Sequence, residues 1–150
     1  MESMYFEDFE LGQEFLTRSR TITEADVINF AGLSGDYNPL HTDEEFAKKT
    51  IFGARIAHGL LGLSIASGLI TQMGIAEKTV IAFLGLTWNF KAALKFGDTI
   101  SVRQRVIEKR ETSKIDRGIL RMAISVINQR GEVVQEGEHT LMMMRRGAGN

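Results

Sequence analysis

The order of hydrophobic and polar positions divides the chain into a helical first half and a strand-rich second half. The clearest helical segment is residues 58–73, where apolar side chains occur on nearly every side of the predicted helix. A helix that is apolar all around is typical of a buried element. We therefore expect a long central helix that the rest of the chain encloses.

Two shorter helices are predicted before the long one. Thr23 is a suitable N-cap for a helix that ends near Ala31. The run from Thr42 to Glu45 has the spacing of a capping box, in which a threonine hydroxyl and a glutamate carboxylate accept from free backbone N–H groups. We expect this second helix to end near Lys49.

Alternation of apolar and polar residues predicts strands in the second half. The predicted strands are residues 84–91, 100–106, 119–128 and 133–144, with a further strand near residues 14–20. Glycine together with Asp or Asn predicts turns at residues 96–98 and 128–131. The expected fold class is α+β, with an antiparallel sheet of about five strands wrapped around the long helix.

The edges and the outer face of this predicted sheet lead to two further expectations. Exposed sheet edges favour pairing with another chain, so we expect a homodimer or a higher homo-oligomer. His139 lies in the last predicted strand, where its neighbours Glu136, Glu138 and Thr140 are polar. We therefore expect His139 at the surface rather than in a site.

Composition limits the protein classes that remain. The length of 150 residues, with 43% hydrophobic and 25% charged residues, fits one globular domain over 1–150, and residues 143–150 are expected to be a frayed tail. The net charge of −1 predicts neither nucleic-acid nor membrane binding. The absence of cysteine excludes disulfides, thiolate metal sites and cysteine nucleophiles. The acidic N-terminal segment lacks the pattern of a signal peptide, and a cytoplasmic location is expected.

One short run carries a candidate for acid–base chemistry. Asn38 precedes Pro39, so it is pushed toward an extended conformation, and the segment from Asp36 to His41 is predicted to be a shaped loop rather than a helix. Such a loop can hold a carboxylate close to an imidazole, and Asn38 can fix its turn through hydrogen bonds to the backbone. A carboxylate beside an imidazole is a general acid–base pair.

A second feature is the start of the central helix. The first N–H groups of a helix are unpaired and lie at its positive end. Gly59 at that end would let a ligand oxygen approach the backbone closely, which predicts an oxyanion site. The alternative is that Gly59 only permits close packing.

These motifs together resemble one known family. The signature Gly-Asp-x-Asn-Pro-x-His, followed by Ala-His-Gly at the start of the central helix, is typical of the MaoC-like (R)-specific enoyl-CoA hydratases, which have the hotdog fold. The chain has both motifs, at residues 35–41 and 57–59. Its opening segment and the turn ending at Asp98 are also similar to the family, so the resemblance covers nearly the whole chain.

The resemblance implies a reaction and a set of roles. Asp36 and His41 would activate the water that adds across the double bond of a trans-2-enoyl-CoA, giving an (R)-3-hydroxyacyl-CoA. The Gly59 N–H would bind the thioester carbonyl. The residues implied to shape the loop or contact substrate are Asn38, His58 and Ser67. Neither a metal nor a redox cofactor is required, and coenzyme A is part of the small-molecule substrate.

Three other functions fit parts of the sequence less well. Hotdog thioesterases typically carry a catalytic carboxylate on or beside the central helix, whereas residues 58–76 contain no acid. A metal site formed by Asp36, His41 and His58 lacks a recognised ligand spacing. A non-catalytic acyl-CoA-binding module would not need the acid–base pair. The hydratase is the predicted function, with the thioesterase and the binding module as alternatives.

Overall fold

The structure, a computed structural model, describes residues 2–147. Its helices are α1 (Glu24–Ser34), α2 (Pro39–Thr42), α3 (Glu44–Ala47) and α4 (Gly59–Thr71). Its strands are β1 (Glu14–Leu16), β2 (Arg20–Thr21), β3 (Val80–Phe90), β4 (Thr99–Glu111), β5 (Arg117–Ile127) and β6 (Val133–Met144). A short 3-10 turn, Phe6–Asp8, precedes β1. The predicted α+β layout is confirmed.

The capping prediction is confirmed for α1 and wrong for the next helix. Thr23 accepts from the Asp26 N–H, and Asp26 completes a capping box. The cap of α3 is instead Asp43, whose carboxylate accepts from the Phe46 N–H at 3.0 Å. Thr42 is instead the last residue of α2, and its hydroxyl points back to the carbonyls of Tyr37 and Asn38, each at 3.1 Å.

The sheet has six antiparallel strands in the order β1-β4-β5-β6-β3, and β2 pairs with β4. Both predicted turns are present, and each contains a glycine with positive φ, Gly97 and Gly131. Helix α4 packs its Leu61, Ile65 and Leu69 against the inner face of this sheet, beside Val102 and Val106. Burying a side chain of this size stabilises the fold by roughly 1.5–3 kcal/mol.

The central helix is less enclosed than its composition predicts. Leu61, Ile65, Ala66 and Leu69 are buried, but Leu60 lies on an exposed side of the helix. The expectation of a helix buried on all sides is therefore wrong for the single chain. The physical reason is that only one face of α4, which carries Leu61, Ile65 and Leu69, joins the buried core.

Strand β3 forms one edge of the sheet and is apolar on its surface. Its side chains of Phe83 and Leu84 are 57% and 48% exposed, and Ile81, Leu86 and Phe90 are exposed as well. A long apolar edge strand is a template for pairing with another strand.

Of the predicted frayed tail, residues 143–146 are held by contacts with the rest of the chain. Met143 is fully buried in β6, Arg145 forms an ion pair with Glu7, and Arg146 forms one with Asp8. Residues 148–150 of the predicted tail lie outside the described residues. Within residues 2–147, no helix has the length and apolar character needed to cross a bilayer.

Candidate active site

The segment that joins α1 to α2 positions Asp36. Gly35 ends α1 with a φ of 79°, a left-handed conformation that glycine adopts without strain. One carboxylate oxygen of Asp36 accepts from the Asn38 N–H at 3.1 Å, and the Asn38 side chain accepts from the Leu40 N–H at 2.9 Å. The prediction that Asn38 fixes this turn is confirmed.

His41 lies in a helix rather than in a loop. Pro39 occupies the first position of α2, where its missing N–H and fixed φ suit a helix start, and Asn38 before it is extended with a ψ of 132°. The expectation of an extended or looped backbone therefore holds up to Asn38 and fails after it. The single turn of α2 directs His41 into the protein, where its ring is buried.

A backbone carbonyl fixes the tautomer of His41. Nδ1 of His41 lies 2.7 Å from the carbonyl oxygen of Ile56. Because a carbonyl oxygen only accepts, Nδ1 carries the hydrogen and donates it. Nε2 of the neutral ring is then left with a free lone pair, which is the form that a general base needs.

His58 joins the loop to the central helix. As N-cap residue of α4, it donates from Nε2 to the backbone carbonyl of Asp36 at 2.9 Å. Its ring stacks on the ring of His41 with centroids 3.8 Å apart and packs edge-on against Phe30. Nδ1 of His58 is buried without a hydrogen-bond partner among residues 2–147. The prediction that His58 shapes the loop agrees with these contacts.

Asp36, His41 and His58 come together in one cluster. One carboxylate oxygen of Asp36 and one ring nitrogen from each histidine all lie within 4.8 Å of one another. Asp36 is exposed, whereas both histidines are buried. This geometry suits an acid–base pair. The same three groups are also of the types that bind a divalent metal ion.

Arg55 anchors the segment that precedes His58. Its guanidinium forms ion pairs with Glu24 on α1 and Glu44 on α3, each at 2.8 Å, and lies over the ring of Phe96. The neighbouring Ile56 forms a β-bridge with Lys95. These contacts hold the Ile56 carbonyl in place for His41.

The start of α4 combines the two roles that the sequence allowed for Gly59, which are close packing and an accessible backbone N–H. The helical hydrogen bonds begin with the N–H of Leu61, which donates to the His58 carbonyl at 3.1 Å, so the N–H of Gly59 precedes that series. The ring of Phe90 lies against Gly59, and a Cβ added to Gly59 would be 2.8 Å from it. Gly59 therefore permits close packing and also presents a helix-end N–H beside the cluster.

A mostly apolar cavity of about 590 Å³ runs between α4 and the sheet. Its lining includes Leu63, one helical turn after Gly59 on the same helix face, and Ile75 beyond the end of α4. Trp88 lines it from β3 and donates to the Gln135 side chain at 3.1 Å. The cavity is therefore suited to an apolar ligand that lies along the central helix.

Two residues that the sequence analysis discussed, Ser67 and His139, line this cavity. Ser67 lines the cavity two turns after Gly59. His139 is buried and lines the same cavity, so its expected surface position is wrong. Strand alternation gives the reason: His139 shares the inner face with Leu141 and Met143, while its polar neighbours point outward.

Sequence reasoning also missed three groups that shape the site. They are the Ile56 carbonyl, Phe30 and Phe90. The carbonyl has no side-chain signal, and the two phenylalanines are ordinary apolar positions in a helix and a strand. Only the folded arrangement identifies them.

The sequence and the fold were compared with known proteins. Residues 8–126 match the family described as MaoC like domain. The (R)-specific enoyl-CoA hydratase of Rhodospirillum rubrum is 35% identical over 147 residues, which are 95% of this chain and 94% of that protein. Protein MaoC of Klebsiella aerogenes is 44% identical over 114 residues, 75% of this chain, and the match spans only 33% of that longer protein.

Solved structures agree with the sequence comparison. A structure titled monoamine oxidase regulatory protein, from Archaeoglobus fulgidus, is 39% identical with a TM-score of 0.90 and covers 97% of both chains. A Mycobacterium tuberculosis protein described as a double hotdog fold is 21% identical with a TM-score of 0.82; this chain is covered to 99% and that one to 46%, and the likeness concerns the fold alone. The chain therefore belongs to the MaoC-like family of hydratases and dehydratases, and its fold is the hotdog fold.

Proposed function

We propose that this protein is a hydro-lyase that reversibly hydrates a trans-2-enoyl-CoA to an (R)-3-hydroxyacyl-CoA. The observation that carries the proposal is the free Nε2 of His41, created by its Nδ1–H bond to Ile56, within a cluster that includes the Asp36 carboxylate. The relatives in Rhodospirillum rubrum and Aeromonas caviae, both called (R)-specific enoyl-CoA hydratases, support the reaction and its stereochemistry.

In this proposal the Asp36–His41 pair transfers the protons of the reaction. During hydration the pair accepts one proton from the water whose hydroxyl adds to C3 and delivers one proton to C2, so the enzyme ends unchanged. Dehydration runs through the same groups in reverse. General acid–base groups of this kind typically contribute 10²–10⁴-fold to the rate.

The start of α4 stabilises the charge that develops on the thioester. Protonation or deprotonation at C2 passes through an enolate-like state with negative charge on the carbonyl oxygen. In our proposal the Gly59 N–H donates to that oxygen at the positive end of the helix. Asn38 and His58 hold the loop, and Ser67 contacts the acyl group further along α4.

The apolar cavity beside α4 takes the acyl chain. Leu63, which lines the cavity, follows Gly59 by one turn of α4, so a thioester bound at Gly59 would lie close to the cavity that takes its acyl chain. The reaction needs an acid–base pair and a donor for the carbonyl oxygen, and these side chains and this backbone supply both. We therefore propose that the enzyme works without a resident metal or redox cofactor.

We also propose that two copies of the chain associate through β3. The exposed apolar side chains of this edge strand, Phe83 and Leu84 among them, would be covered by an antiparallel pairing of two such strands. The pairing would extend the sheet across both subunits. It would also cover exposed side chains such as Phe90, next to Gly59.

The experiment that tests the function is a hydration assay with crotonyl-CoA. Loss of the conjugated double bond, followed by oxidation of the product with a dehydrogenase specific for (R)-3-hydroxyacyl-CoA, is the expected result. Product oxidised only by the (S)-specific enzyme would contradict the stereochemistry. Release of free coenzyme A without hydration would favour a thioesterase. Neither reaction with crotonyl or longer enoyl groups would favour a binding module.

A further inference from the structure

Two polar side chains lie deep in the apolar cavity beside α4. His139 on β6 is 7% exposed and Gln104 on β4 is 4% exposed, and both line the cavity. The other side chains of the inner sheet face around them are apolar, such as Met122, Ile124 and Leu141. Nε2 of His139 is fully buried and has no hydrogen-bond partner among residues 2–147.

An unpaired polar group in this position is costly for folding alone. Leaving a buried donor or acceptor without a partner costs roughly 1–3 kcal/mol. Leu or Phe at position 139 would fill the same strand position without that penalty. In a binding cavity, a polar group of this kind commonly orients a ligand through a complementary polar atom.

The ring of His139 is uncharged at neutral pH. Burial lowers its pKa from 6.5 to about 4, because the charged form would lose its hydration. A neutral imidazole both donates and accepts one hydrogen bond. The described lining of the cavity contains Glu77 but no Lys or Arg, so a carboxylate on the ligand would find no cation there. The chemistry that fits is an uncharged group that donates and accepts, which is a hydroxyl.

The position of His139 tells which part of the acyl group it meets. His139 pairs with Leu86 on β3, while Phe90 on the same strand lies against Gly59. Four residues of strand separate Leu86 from Phe90, which is about 13 Å. The hydroxyl would therefore lie on the distal part of the chain, far from C2 and C3.

We infer that His139, with Gln104 on the same sheet face, selects enoyl thioesters whose acyl chain carries a distal hydroxyl group. This inference rests on the proposed hydratase function and makes it more specific. His139 acts as a specificity residue in the cavity wall, and the chemistry at C2 and C3 stays with Asp36 and His41.

The test compares pairs of trans-2-enoyl-CoA substrates of equal chain length, with and without a terminal hydroxyl, over a graded series of lengths. We expect the hydroxylated member to have a kcat/KM at least about tenfold higher at one medium length, because a site built around a hydrogen bond rejects the analogue that lacks it. The preference should vanish at short lengths, where the chain does not reach His139.

Two variants and a control identify the residue responsible. His139→Leu should remove the preference by raising kcat/KM for the plain chain and lowering it for the hydroxylated chain. His139→Gln keeps an uncharged donor and acceptor and should retain most of the preference. Leu141→Met changes the same wall without changing its polarity, so the ratio between the two substrates should stay as in the wild type. Thermal melting shows whether each variant is folded.

The outcomes separate this inference from the proposed function. Hydration of plain enoyl-CoA at normal rates with no preference at any chain length would overturn the inference and leave the function intact. No hydration of any substrate would overturn both. A wild-type preference that survives in His139→Leu would assign the selection to other residues. The absence of a preference in the wild type overturns the inference even if His139→Leu fails to fold.

Discussion

At the scale of single residues, backbone carbonyls determine what the side chains can do. Ile56 accepts from Nδ1 of His41 and Asp36 accepts from Nε2 of His58, so the two stacked rings have opposite tautomers. His41 therefore presents its free lone pair from Nε2. A buried histidine without such a bond could exchange tautomers, and its basic nitrogen would be undefined.

Loss of either member of the acid–base pair should abolish most activity without unfolding the protein. Asp36→Asn keeps an oxygen that can accept from the Asn38 N–H, and Asp36 is exposed, so the loop should persist. We expect Asp36→Asn and His41→Ala each to lower kcat by at least about a hundredfold. Steady-state kinetics with melting curves measure this. Near-normal turnover in a variant would remove that residue from the mechanism.

Removal of metal ions should leave hydration unchanged. Although Asp36, His41 and His58 could hold a cation, the proposed mechanism uses Asp36 and His41 as proton-transfer groups. Prolonged treatment with EDTA, followed by assay in metal-free buffer, should give full activity. Loss of activity that Zn²⁺ or Mn²⁺ restores would instead make the cluster a metal centre.

His139 should make the folded state sensitive to acid. Its pKa is about 4 in the folded protein and 6.5 in an exposed histidine, so between these pH values the unfolded chain binds a proton that the folded protein does not. Stability contributed by the neutral ring is complete above pH 6.5 and is lost as the pH falls toward 4. The loss is on the order of 3 kcal/mol.

The comparison that isolates this effect is urea unfolding of wild type and His139→Gln at several pH values. The variant should lose less stability between neutral pH and about pH 4. Glu77 lines the same cavity, but it is present in both proteins, so its titration cancels in the difference. Equal pH slopes would show that the ring of His139 is hydrated or charged when folded.

At the scale of elements, the start of α4 joins the loop, the sheet and the proposed oxyanion site. Gly59→Ala would push the ring of Phe90, because the added Cβ would lie 2.8 Å from it. Phe90 is largely exposed and can move, so the loss of stability should be small. We expect kcat to fall by about a hundredfold through displacement of the thioester, while the melting temperature changes by only a few degrees.

A double variant separates the two roles of Gly59. If the added methyl group acts only by displacing the ring, Phe90→Ala should restore activity to the Gly59→Ala protein. If the methyl group blocks the approach of the carbonyl to the backbone, activity should stay low in the double variant. Phe90→Ala alone serves as the reference for both outcomes.

The sequence predicted elements well where one local signal dominated. The cap at Thr23 and the last strand, Val133–Met144, were predicted correctly because a capping box and a long alternation stood alone. Thr42 and Asp43 are adjacent candidates for the same cap, and α2, which ends at Thr42, leaves Asp43 as the cap of α3. The single turn of α2 is too short to give a helical periodicity.

The candidate site was predictable in its side chains but not in its connections. Asp36, His41 and Gly59 follow from motifs, and the structure brings the first two together. The bond from His41 to Ile56 joins residues 15 positions apart through a carbonyl, which every residue possesses. His139 was predicted at the surface because its polar neighbours suggested an outward-facing side chain. Leu141 and Met143, two and four residues later, lie on the same inward face of the strand.

At the scale of the whole molecule, β3 is a sheet edge that is apolar over most of its length. Leu84 lies in this edge and does not line the cavity, so it tests association without altering the acyl site. We expect the wild-type chain to be a dimer and Leu84→Lys to be a monomer, because a charge on an edge strand prevents strand pairing. Light scattering coupled to size-exclusion chromatography measures both.

A matched control is available at an exposed apolar residue outside the β3 edge. Ile115 is 89% exposed in the turn between β4 and β5, outside the β3 edge. Ile115→Lys adds the same charge and should leave the dimer intact. A dimer that persists in Leu84→Lys would place the interface elsewhere.

The stacked rings of His41 and His58 should also make binding at the site detectable by NMR spectroscopy. Rings 3.8 Å apart lie within each other's ring currents, so their carbon-bound protons should resonate away from those of the third histidine, His139. Opposite tautomers would give the two rings opposite nitrogen-15 patterns in a single heteronuclear spectrum. A substrate analogue that reaches His41 would therefore be seen directly, in an isotope-enriched enzyme that carries no mutation.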